Sequence, residues 1–296
     1  MGVALITGAN GFFGNHLIEV FKEKQFDTIG LNSCTINVNL AVTVPSLSKH
    51  YEKVVHAAGK AHSIPKNKQE EESFYNVNFQ GTINLTKAFD QMQHWPASFV
   101  FISTVGVYGI DEGELLDENT PLAGYLPYQK SKIMAERHLQ QWAAVHNIEL
   151  TILRLPLLVG KNPPGNLGAM IRAIKNGYYF RIGRGDARRS MVLAEDVADL
   201  IASDKIKSGI FNLTDGMHPS YRQVDESIAQ QFNRNIRSIP EPMVKIAARL
   251  GDLLPIIPIN NYKLQKLQST LTFSDEKARK QLGWKPRPVL ENLILQ

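Results

Sequence analysis

Residues 3 to 21 read VALITGANGFFGNHLIEVF, and the reading of this stretch decides the fold. Val3 to Thr7 is an apolar, β-branched run of strand length, and Phe13, Leu17, Val20 and Phe21 then recur at helical spacing. Between them Gly8, Gly11 and Gly14 stand three apart, directly after the strand and at the start of the helix. Glycine there allows a tight turn and lets main-chain N–H groups approach a pyrophosphate, which the positive end of the helix also attracts. A glycine triplet alone says little. Strand, turn and helix together predict a dinucleotide held by Gly8, Asn10, Gly11, Phe12, Phe13 and Gly14.

Working outward, residues 26–32, 53–59, 98–104 and 149–155 read as further buried strands, and 70–93 and 128–146 as helices. This alternation predicts an α/β fold, a doubly wound parallel sheet covered by helices on both faces. After Pro156 the alternation stops in loops rich in Gly, Pro and Arg around a helix over 167–176. Residues 209–214 are expected to return to the sheet, and 216–296 to form a small helical lobe. The expected domains are a dinucleotide-binding unit over 1–158, rejoined by about 187–215, and a substrate lobe over most of 159–296, with the site in the cleft between them.

A chain of 296 residues, 43% hydrophobic, supports a sizeable core. Its formal charge of +5, from 33 basic and 28 acidic residues, is spread without a dense basic block, which argues against a nucleic-acid partner. The one cysteine, Cys34, excludes an internal disulfide framework and a cysteine-rich zinc site, and no metal is expected. The N-terminus does not read as a secretory signal. ARLGDLLPIIPI, near the C-terminus, is too short and too broken by Asp252, Pro255 and Pro258 to span a bilayer, so a cytoplasmic protein is expected.

YQKSK, residues 128–132, sets Tyr128 and Lys132 one helical turn apart on one face. YKLQK repeats the interval with Tyr262 and Lys266, so spacing alone does not assign catalysis. Position does: FIST ends a strand at Ser103 and Thr104 upstream of Tyr128, at the sheet edge where open α/β folds bind ligands, whereas nothing comparable precedes Tyr262. A cation near Tyr128 would lower its pKa toward the range of a general acid and base. Leu31, Asn32 and Ser33 close the second strand without a carboxylate to repel a 2′-phosphate or an arginine to bind it. NADP and NAD both stay open, with NADP(H) favoured.

These motifs, in this order along almost the whole chain, resemble the extended short-chain dehydrogenase/reductase family, whose members act largely on nucleotide sugars. The resemblance implies that Thr104, four residues before Tyr108, assists Tyr128. It implies that VVHAAGKAH packs Ala57, Ala58 and Gly59 on the cofactor, that Asn78 of NVNFQGT steadies the active-site strands, and that Leu155 of LRLPLLVG lies beside the nicotinamide. Lys60 reaches cofactor or substrate phosphates on this reading, with a solvated loop lysine as the alternative. Asn166 matches the region that contacts the nucleotide, and Arg189 the arginine that holds the diphosphate of a UDP-sugar, a bond that suits a guanidinium. Val105 and Gly106 stand where the family's 4,6-dehydratases have Asp-Glu, which disfavours dehydration, and Leu157 replaces an asparagine of many 4-epimerases. The tail from Lys263 to Pro286 and the stretch from Val159 to Leu200 resemble the family's bacterial UDP-4-keto-6-deoxy-N-acetylhexosamine 4-reductases. The expected function is such a reductase, with a 4-epimerase as the alternative, a non-catalytic NADP(H)-binding subunit as the alternative of another class, and a homodimer as the assembly.

Overall fold

The computed structural model describes residues 2–31, 38–61, 65–253 and 260–295, so Asn32 and Cys34 lie outside the described residues. Twelve described strands occur: β1 Val3–Thr7, β2 Asp27–Leu31, β3 Lys53–His56, β4 Ser98–Thr104, β5 Gly113–Leu116, β6 Glu149–Leu155, β7 Leu157–Val159, β8 Phe180–Ile182, β9 Met191–Leu193, β10 Gly209–Asn212, β11 Arg237–Ile239 and β12 Leu271–Phe273. The helices that matter below are α1 Phe12–Glu23, α2 Lys68–Tyr75, α3 Gly81–Met92, α4 Pro127–His146, α5 Gly165–Lys175, α6 Ala194–Ile201, α7 Tyr221–Gln231, α8 Glu241–Leu253, α9 Asn261–Gln268 and α10 Glu276–Leu282.

Six strands form one parallel sheet in the order β2-β1-β3-β4-β6-β10. This is the doubly wound Rossmann-type sheet that the alternation predicts, and β10 rejoins it beside β6. The winding reverses between β1 and β3, and the crevice at the carboxyl ends of such a pair is where open α/β sheets bind ligands.

Successive side chains of a strand point to opposite faces, so each strand feeds two cores. Ala4, Ile6, Val55, Val100, Leu153 and Leu155 pack against Leu17 and Phe21 of α1 and Val197 and Ile201 of α6. Leu5, Val54, Phe99, Phe101 and Ile152 pack on the other face against Leu85 and Phe89 of α3 and Leu139 and Trp142 of α4. Ala278 and Leu282 of α10, with Trp284, also join the α1 face, so part of the C-terminal stretch seals the sheet. The lobe has its own core of Val159, Leu167, Ile174, Met191, Val224, Ile228 and Val289.

Residues 68–92 run as one helix, close to the expected 70–93, but a π-helical turn over Asn76–Gln80 interrupts it. Such a turn widens the hydrogen-bond ladder by one residue and is frequent at functional sites. Here it carries Asn78, 1% exposed.

Candidate active site

Gly8 takes φ +69°, and its carbonyl accepts the Gly11 N–H at 2.8 Å, which closes the turn. A Cβ on Gly14 would stand 2.0 Å from Gly8 O, and one on Gly8 would stand 2.7 Å from Ala58 N. The turn and the 57–59 segment are therefore in main-chain contact, possible only without side chains. Gly11 is the N-cap of α1 and supplies no side-chain cap. An uncapped helix start beside two closely approached glycines fits a pyrophosphate. Phe13, by contrast, puts its ring in the sheet core, leaving only its main chain at the turn.

YQKSK opens α4, and each residue has a task. Pro127 at N1 starts the helix, and Gln129 Oε1 accepts the Tyr125 and Leu126 N–H groups at 2.9 and 3.0 Å. Ser131 Oγ donates to Tyr128 O at 2.8 Å and accepts from Asn78 Nδ2 at 2.9 Å. Asn78 Oδ1 also accepts the Lys60 N–H at 2.7 Å, so the π turn ties the end of β3 to the start of α4.

Burial pushes the Tyr128 phenol above its usual pKa, and a hydrogen bond from the Thr104 hydroxyl works the other way. The Thr104 oxygen also accepts the Gly106 N–H at 3.1 Å. The Lys132 ammonium donates to Ile102 O at 2.8 Å, lies 4.6 Å from the centre of the Phe101 ring, and would stand 3.3 Å from a Cβ on Gly59. Burial lowers the Lys132 pKa to about 8, with Glu136, one turn on, opposing the fall. The cation so lies against the 57–59 segment.

Under this pair lies a buried polar network that the sequence reading does not include. Glu136 and Arg154 pair at 2.7 Å, Ser103 Oγ donates to Glu136 Oε1 at 2.5 Å, and Arg154 Nη1 donates to Tyr108 OH at 3.2 Å. Tyr108 OH donates to Asn212 Oδ1 at 2.7 Å, which reaches β10. Ser103 thus bonds a carboxylate rather than the backbone. An arginine inside the otherwise apolar strand ELTILRL was the available signal, since buried charges are paired.

Thr104, Val105, Leu155, Asn166 and Arg189 line one cavity of about 280 Å³, with Leu157, Met170, Ser190, Tyr221, Leu271 and Phe273. Sequence reasoning missed Met170, Ser190, Tyr221, Leu271 and Phe273, the last three of which arrive from beyond residue 216. Arg189 spans the Tyr221 ring, 5.6 Å from its centre, and donates through Nη1 to Ser269 O and through Nη2 to Lys266 O at the end of α9. Lys60 stays outside the cavity: its ammonium bonds Ser73 Oγ at 2.5 Å and lies 5.1 Å from the Phe74 ring centre. Tyr262 and Lys266 both meet Asp111, at 3.3 and 3.0 Å, and tie α9 to the loop before β5.

A glycine turn at a sheet's switch point, facing a Tyr-Lys helix and a strand-end threonine, defines an NAD(P)-dependent enzyme on a Rossmann-type fold. The chain belongs to the NAD dependent epimerase/dehydratase family, whose model matches residues 4–212. It is similar to an N-acetyl-α-D-glucosaminyl-diphospho-ditrans,octacis-undecaprenol 4-epimerase of Escherichia coli O157:H7, 27% identical over 69% of this chain and 65% of that protein. A GDP-6-deoxy-D-talose 4-dehydrogenase of Aggregatibacter actinomycetemcomitans is 26% identical over 76% of this chain and 79% of its own. The solved UDP-N-acetylglucosamine 4-epimerase from Bacillus cereus superposes with a TM-score of 0.76 at 20% identity, covering 99% of this chain and 96% of that one. Among the described residues no helix is long and apolar enough to cross a membrane, and no cluster of metal-ligating side chains occurs.

Proposed function

We propose that the protein is a nucleotide-sugar oxidoreductase that reduces the C4 keto group of a UDP-linked 4-keto-6-deoxy-N-acetylhexosamine. The observation that carries this reading is the wall of the cavity beside Thr104, made of Val105, Leu155, Leu157 and Phe273. It holds no carboxylate to assist dehydration and suits a sugar whose C6 is a methyl group, since a hydroxyl there would be buried without a partner. Relatives that act at C4 of nucleotide or diphospholipid sugars support the substrate class.

The residues for NAD(P)H are Gly8, Asn10, Gly11, Phe12 and Gly14 at the pyrophosphate, Ala57 to Gly59 along the dinucleotide, and Lys132 and Leu155 toward the nicotinamide. NAD(P)H supplies the hydride when bound. Tyr128 gives its phenolic proton to the oxygen at C4, Thr104 hydrogen-bonds that oxygen, and Lys132 holds a ribose and the local positive charge. Arg189 and Asn166 hold the UDP portion. A homodimer and a cytoplasmic location follow from the resemblance and are part of the proposal, checked by light scattering and cell fractionation.

The test is oxidation of NADPH and NADH, in parallel, by the purified protein with UDP-4-keto-6-deoxy-N-acetylglucosamine. Stoichiometric oxidation establishes the reductase and the preferred cofactor; C4 inversion of a UDP-hexose without net oxidation replaces it with the epimerase. Tyr128→Phe should bind NADPH normally and lose turnover.

A further inference from the structure

Thr7, His56 and Thr82 are fully buried beneath the glycine turn, and the heavy atoms dictate where their hydrogens lie. Thr82 Oγ1 gives its one hydrogen to Asn78 O at 2.7 Å, so its 2.9 Å contact with His56 Nε2 has the imidazole as donor. A neutral ring then has a bare Nδ1, which accepts from Thr7 Oγ1 at 2.6 Å. Thr7 Oγ1 in turn accepts the Ala58 N–H at 3.1 Å. The four bonds run one way, from Ala58 through Thr7, His56 and Thr82 to Asn78. Burial, and secondarily the Lys132 cation, lower the His56 pKa to about 3, so the ring stays neutral at ordinary pH.

Each end of this chain touches part of the site. Thr7 precedes Gly8, whose main chain meets Ala58. Asn78 bonds Ser131, which bonds Tyr128 O. A protonated ring would offer two donors to groups arranged to take one, and an apolar ring would leave a buried hydroxyl unsatisfied at a cost of about 1–3 kcal/mol.

We propose that His56 is a positioning residue, which sets the spacing between the dinucleotide turn and the Tyr128–Lys132 helix through this one-way chain. It rests on dinucleotide binding alone, not on the identity of the sugar.

Two isosteric variants separate the ends. An Asn side-chain oxygen falls near the Nδ1 place and leaves the Nε2 place empty, whereas a Gln amide reaches toward Nε2. His56→Asn keeps the Thr7 end and His56→Gln the Thr82 end. The readouts are the Kd for NADPH, from nicotinamide fluorescence, and hydrogen-exchange protection of the Lys60 amide, which Asn78 holds. His56→Gln should weaken NADPH binding about tenfold with Lys60 protection kept. His56→Asn should keep Kd within about twofold and lose about tenfold in protection. Parallel losses in both variants, as an unspecific core residue would give, overturn the proposal. Should the variants not fold, ¹⁵N spectra of the unmodified protein decide. A neutral ring protonated at Nε2 that does not titrate between about pH 5 and 8 supports the chain, and a proton on Nδ1 or titration in that range refutes it.

Discussion

Replacing Lys132 by Met should abolish turnover and make the protein more stable. Lys132 is 5% exposed, and burial takes its pKa from an ordinary 10.5 to about 8. At about 1.4 kcal/mol for each pH unit, keeping the charged ammonium folded costs about 3 kcal/mol. Met fills similar space without charge, but it forfeits the bond to Ile102 O and the Phe101 contact, worth about 1 kcal/mol. The net stabilisation is about 2 kcal/mol, or about 4 °C in Tm for a chain of this size. The pH dependence carries the sign. Below pH 8 Lys132 is charged in both folded and unfolded states, and the full penalty applies. Between about 8 and 10.5 the unfolded chain binds the proton and the folded one does not, so the unmodified protein recovers stability as pH rises. The margin of Lys132→Met should therefore be constant below pH 8 and shrink by about 1.4 kcal/mol per pH unit above it. Calorimetry at pH 7, 8 and 9.5 measures this, with NADPH absent. A variant that melts at or below the unmodified protein at pH 7, or a margin flat across these values, would refute the reasoning.

Gly14→Ala places a Cβ 2.0 Å from Gly8 O, so the turn must open, and NADPH affinity should fall by about a hundredfold in a fluorescence titration. Arg154→Met leaves Glu136 buried without its cation and should cost about 3–5 kcal/mol in urea unfolding. Adding Glu136→Leu to it should recover most of that loss, because the pair then leaves no carboxylate buried without its cation. Arg189→Met should weaken UDP binding by about tenfold or more in calorimetric titration while leaving NADPH affinity unchanged.

Local pattern made part of this molecule legible. The strands of the sheet, the glycine turn and the helix with Tyr128 and Lys132 all follow from periodicity or from residues a few positions apart. Thr104, Val105, Leu155, Asn166 and Arg189 were expected at the site and meet in one cavity. What escaped is contact between distant positions. Tyr221, Leu271 and Phe273 close the cavity from the lobe, and no spacing rule links them to Thr104. The π turn at Asn76–Gln80 read as plain helix because its extra residue does not disturb the apolar repeat. The Glu136–Arg154 pair was half visible, as a charge in the strand ELTILRL, but its partner lay on another element. Asn32, on which the choice between NAD and NADP turns, falls outside the described residues.

The packing of Trp284 bears on how the chain is made. Its indole donates to Thr214 O at 2.9 Å, and the ring completes the same apolar layer as Ala4 and Leu17. Contacts across such separations form late, because the intervening loop must first be closed. During synthesis the α1 face of the sheet, Phe211 included, stays open until residue 284 has emerged, although its first strand and helix were made long before. The dinucleotide-binding half thus begins to be made before the lobe but is completed only after residue 284, and its uncovered apolar layer is where an unfinished chain would aggregate or meet a chaperone.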